Sequence, residues 1–128
     1  MRRVTSFSVV LIMIMTILFG CSRKEPVINV QDVSSFSYDE VADYYSPDEA
    51  GVRTEGFYNQ TKTSVANAQD AVKLAEKECR ITYDSVAVAR DETKKMWKVT
   101  FYTEGVVGGD LSVYLDDDGI TQMTVAGE

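Results

Sequence analysis

Acidic side chains are the most abundant groups in this chain that could do chemistry. It holds 20 Asp and Glu against 13 Lys and Arg, two cysteines and no histidine. Without histidine, neither a Ser–His–Asp nor a Cys–His nucleophile can be assembled from this chain alone. Zinc sites of the usual Cys/His kind are excluded on the same ground. Paired carboxylates can serve acid–base catalysis, but 20 acids give many accidental pairs and no spacing singles one out, so the expectation is a protein that is not an enzyme. The run Asp116-Asp117-Asp118-Gly119 offers oxygen ligands suited to Ca2+. An EF-hand spreads its ligands over a 12-residue loop ending in Glu, a pattern missing here. A solvated turn is the plainer reading, and Asp116 and Asp118 stand only as weak metal candidates. A second cluster, Asp39, Glu40, Asp43, Asp48 and Glu49, surrounds Tyr44 and Tyr45. It reads either as a solvated face or as a site for a cationic peptide or cell-wall amine. Gly105-x-x-Gly108-Gly109 lacks the Lys and the helix of a phosphate loop, and reads as a flexible hairpin loop. Nothing calls for a cofactor.

These residues need elements to position them. The clearest is a helix over 68–80, with Asn67 as N-cap and the acid Asp70 in its first turn. Ala68, Ala71, Val72, Ala75 and Cys79 fall on one stripe at helical spacing, and their small size suits close packing on a sheet. Cys79 on that stripe reads as a small buried apolar residue. Four strands follow, over 85–89, 96–102, 111–116 and 120–125, with residues 90–95 as a turn and Asp117-Asp118-Gly119 as a hairpin signal. Alternation predicts that Trp97, Val99, Phe101, Leu111, Val113 and Leu115 bury against the helix, leaving the other face wetter. Upstream, Ser37-x-x-Glu40 is a capping-box signal for a short helix closed by Pro47, and residues 52–58 are a short strand or a covering loop. The aromatics of that segment either pack on the domain or present a binding surface formed by Tyr44, Tyr45, Phe57 and Tyr58. The fold class expected is α+β: one helix on a curved antiparallel sheet of about four strands.

The N-terminus carries an address. Arg2 and Arg3 precede an apolar run over 9–19 that ends in Leu18-Phe19-Gly20-Cys21. A positive end, a short apolar core and a small residue at the cut make a secretory signal peptide. The run is too short to span a bilayer, which takes about 20 apolar residues. Its ending resembles the lipobox of bacterial lipoproteins. The resemblance implies cleavage after Gly20, lipidation of Cys21 and an anchored location on the extracytoplasmic face of the cell membrane. The expected organisation is therefore a signal peptide (1–20), a lipidated Cys and tether (21–36), an aromatic and acidic segment (37–62) and the helix-plus-meander domain (63–128). Loss of Arg2 and Arg3 leaves 11 cations against 20 acids, a net charge near −9. Such a surface repels nucleic-acid phosphates.

Ala71-Val72-x-Leu74-Ala75, Met96-Trp97-Lys98-Val99, the run from Gly108-Gly109-Asp110 through Val113-Tyr114-Leu115, and Asp118-Gly119-Ile120 together resemble a PepSY-type domain over about residues 56–128, and the fold so implied is PepSY-like or cystatin-like. They are also similar to small immunity-type domains and to uncharacterised extracytoplasmic proteins of Gram-positive gut bacteria. The resemblance implies a non-catalytic module that binds a protein or peptide at the cell envelope, for instance restraining a peptidase. The alternative expectation is a lipoprotein that binds a solute or a divalent cation through its acidic clusters.

Overall fold

The computed structural model describes residue 30 and residues 32–127. The signal segment, Gly20 and Cys21 lie outside the described residues.

The chain runs β1 (Val33–Ser35), α1 (Tyr38–Tyr44), β2 (Val52–Arg53), α2 (Ala68–Glu76), β3 (Ser85–Asp91), β4 (Met96–Tyr102), β5 (Leu111–Asp116) and β6 (Thr121–Ala126). One six-stranded sheet in the order β1-β3-β4-β5-β6-β2 results. β3 to β6 form an antiparallel meander, β1 pairs parallel to β3, and β2 pairs antiparallel to β6. The α+β class and the meander are as the alternation predicts. The sheet is larger than expected, mixed rather than antiparallel, and carries two helices. Two- and three-residue edge strands show no period of their own. They form because β3 and β6 already present unpaired backbone groups. Val33–Ser35, expected within the tether, is one of these edges.

α2 starts where its cap dictates. The Asn67 side chain accepts from the Asp70 amide at 2.9 Å, and the Asp70 carboxylate accepts from the Ala66 amide at 3.1 Å. The helix stops at Glu76 rather than near residue 80, because the amides of Lys77, Glu78 and Cys79 turn to carbonyls three residues back. That tightening carries Cys79, Ile81 and Tyr83 onto the core as partly buried packing. Ala71, Val72, Leu74 and Ala75 bury against Trp97, Val99, Phe101, Leu111, Val113 and Leu115, the six sheet positions named by alternation.

The opposite face is not the wet one expected. Phe36, Tyr38, Val41, Tyr45 and Val52 cover Met96, Tyr114, Met123 and Val125, and Tyr114 is only 2 % exposed. Thus residues 33–53 leave one sheet edge as β1, cross the face as α1 and close the other edge as β2.

Candidate binding surface

The tyrosine pair is positioned by what pins α1. Ser37 caps the helix, its Oγ accepting from the Glu40 amide, as the capping-box signal predicts. The Tyr38 amide donates to Asp91 Oδ2 at 2.8 Å, fixing the helix start to the end of β3. The other oxygen of Asp91 accepts from the amides of Thr93 and Lys94, and the Tyr38 amide, followed by those of Lys94 and Thr93, holds the carboxyl below its usual range. Phe36 and Tyr38 both sit tilted against Tyr114, each with its ring centroid 5.9 Å away. Burial pushes the Tyr114 hydroxyl well above the usual phenol range, with Tyr45 and Tyr38 adding to the shift.

With α1 held this way, its last residue, Tyr44, points out and is 76 % exposed. Its ring stands edge-on to Tyr45, centroids 4.9 Å apart at 84°. Tyr45 packs on the core and supports it. The pair forms a ridge between two shallow grooves. One, of about 400 Å³, is lined by Tyr44, Tyr45, Glu49, Asp110 and the backbone around Ala126 and Gly127. The other, of about 380 Å³, runs past Glu40, Val41, Lys98 and Tyr114. Lys98 lies 5.9 Å over the Tyr114 ring. An exposed π-face flanked by carboxylates suits a cationic side chain.

Phe57 and Tyr58 are elsewhere. Val52 and Arg53 point to opposite faces of β2, and Val52 belongs to the layer under Tyr45. The Arg53 guanidinium lies 5.5 Å over Phe57, which is 7 % exposed and so packs rather than presents itself. The amides of Tyr58 and Asn59 donate to Glu78 beyond α2, and Asn59 Nδ2 donates to the Leu74 carbonyl at 2.6 Å and to Thr121. Tyr58 is exposed on that side. The four aromatics therefore divide into a tyrosine ridge and a separate α2-side loop.

The carboxylates of the β5–β6 turn diverge. Asp116 Oδ1 accepts from the amides of Asp118 and Ile120, and its other oxygen from Gln122. Asp117 takes both terminal nitrogens of Arg90, and its Oδ1 also accepts from Trp97 Nε1 at 3.1 Å. Asp118 pairs loosely with Lys62 at 3.8 Å. Arg90 also stacks 4.5 Å over Trp97, its partner across β3 and β4, so this pair and the more distant Asp117 close one end of the sheet. Arg90 holds the Asp117 carboxyl below its usual range. Burial pushes the Cys79 thiol up, consistent with an unreactive packing role.

Asp91, Asp110 and the Arg90–Trp97–Asp117 cluster escape the sequence reading. Asp91 sits in a polar stretch that gives no hint of α1 docking on it, and Asp110 meets the tyrosines only through the register of β5 and β6. Among protein-family models, curated proteins and solved structures, no match to this chain is found.

Proposed function

We propose that this chain is a lipid-anchored extracytoplasmic lipoprotein whose PepSY-like or cystatin-like core serves as a non-catalytic module for binding a protein or peptide at the cell envelope, restraint of a peptidase being one such role. Cys21 carries the lipid and Gly20 precedes the cut. The observation that supports binding is the exposed Tyr44, braced edge-on by Tyr45 and flanked by Glu40, Glu49 and Asp110 along two grooves. A basic segment is the complementary occupant: its ammonium or guanidinium groups meet π-faces and carboxylates together. Tyr44 is the side chain to change, because Tyr45 also supports the core. Fluorescence anisotropy of a labelled oligolysine peptide is the test. Tyr44→Ala is expected to weaken binding about tenfold, within the range of one cation–π contact, with the melting temperature unchanged. Equal affinity in the variant refutes the assignment of the site.

A further inference from the structure

Among the described residues, five large apolar side chains are exposed, and three of them, Tyr44, Val106 and Val107, belong to one end of the sheet. β4 ends there, β5 begins there and β6 finishes there. Val106 is 61 % exposed and Val107 fully so. Their loop is tied at its base and free at its tip. The Glu104 amide donates to Asp84 Oδ1 at 2.9 Å, the Val106 amide to the Thr103 carbonyl, and the Gly127 amide to the Asp110 carbonyl at 2.7 Å. A side chain built on Gly105 or Gly109 would meet nothing within 4 Å, so no part of the domain packs against these flanks. Two adjacent valines held in water on a braced loop contribute nothing to the core. Asp110 both closes this loop and lines the groove beside Tyr44 and Tyr45. Val107 is three residues from Asp110, at most about 11 Å along the chain.

The charges near the valines narrow the occupant. Asp84, Glu104 and Asp110 stand at the base of the loop, and Glu49 stands across the groove. The groove that Asp110 and Glu49 line holds no cation among the described residues, and Lys98 lines the other groove, across the tyrosine ridge. An anionic bilayer surface would meet these carboxylates with repulsion. A basic polypeptide segment meets them with attraction.

We infer that Val106 and Val107 form an apolar finger continuous with the tyrosine groove, and that together they take an amphipathic basic segment of a partner protein: cations against Tyr44, Glu49 and Asp110, apolar side chains against the valines. This rests on the binding role proposed above and names its partner class. The test compares two labelled peptides of equal charge, oligolysine and a lysine–leucine peptide, by anisotropy against the full-length protein in zwitterionic nanodiscs. The protein is expected to bind the lysine–leucine peptide about tenfold more tightly than oligolysine. The double change Val106→Ser and Val107→Ser should erase that preference and leave oligolysine affinity unchanged, with Val107→Ser alone as an intermediate. A preference that survives the double change overturns the finger while the groove stands. No binding of either peptide overturns both. Valine-dependent binding of the unlipidated Cys21→Ala form to peptide-free phosphatidylcholine vesicles overturns the finger in favour of a bilayer contact.

Discussion

Asp117 reaches back to Arg90 and Trp97, a cross-strand pair of the β3–β4 hairpin, from the turn after β5. Its carboxylate takes the Arg90 fork and the Trp97 indole N–H, with Arg90 largely buried and Asp117 about a third exposed. Asp117→Asn removes the charge that balances Arg90. Solvent screening at the exposed carboxylate limits the loss to about 1–2 kcal/mol, measurable by urea unfolding. Asp117, Asp84 and Asp91 all have carboxyls held below their usual range, by Arg90 in the first case and chiefly by backbone amides in the others. A carboxyl whose folded value lies below its unfolded value contributes stability above about pH 4. That contribution is lost as pH falls through the folded value. The melting temperature should therefore hold from neutral pH to about pH 5 and fall below pH 4, with a shallower fall in Asp117→Asn. Gly119 is the other residue without a substitute. Its φ is +73°, and a Cβ there would lie 2.5 Å from the Thr63 carbonyl oxygen and 2.8 Å from Leu74. Gly119→Ala should cost at least about 2 kcal/mol, a drop of roughly 10 °C in Tm. The sequence marks this glycine as a turn residue, but not the close approach of residue 63, which depends on a loop folding back from 56 residues away.

α2 and the meander are legible in sequence because each carries its own period: a small-residue stripe in the helix and alternation in the strands. The same stripe sets a test. Ala71 and Ala75 are fully buried against the sheet, so Ala71→Leu should overpack the interface and cost about 1–3 kcal/mol in chemical denaturation. β1, α1 and β2 are less legible. The capping box announces α1, but its seven residues and the five of the two edge strands are too few to reveal where they dock. Docking depends on contacts such as Tyr38 to Asp91, which join segments 53 positions apart. Asp91→Ala should loosen this segment selectively. Hydrogen exchange is expected to quicken over residues 36–45 while the amides of β4 and β5 keep their protection, and uniform loss across the sheet would show that the segment is not a separate unit.

For the molecule as a whole, the proposed anchor and the binding end are related by the direction of β1. Because β1 runs parallel to β3, the chain enters the sheet from the end at which β4 passes to β5. The tyrosine groove and the exposed valines are at that same end. A lipid on Cys21 would therefore join the domain by the chain that enters at its binding end. Cys21→Ala should move the protein from the membrane fraction to the soluble fraction and abolish incorporation of labelled fatty acid; retention in the membrane fraction would count against the anchor. The segment over 33–53 also has a consequence in time. Each hairpin of the meander can close as soon as its own two strands exist, since its contacts are local. Val33 must wait for Val88, and Val52 for Val125, near the last residue described. The part of the domain made first is thus the last to find its place, and the face of Met96, Tyr114, Met123 and Val125 that it covers stays open until β6 has been made.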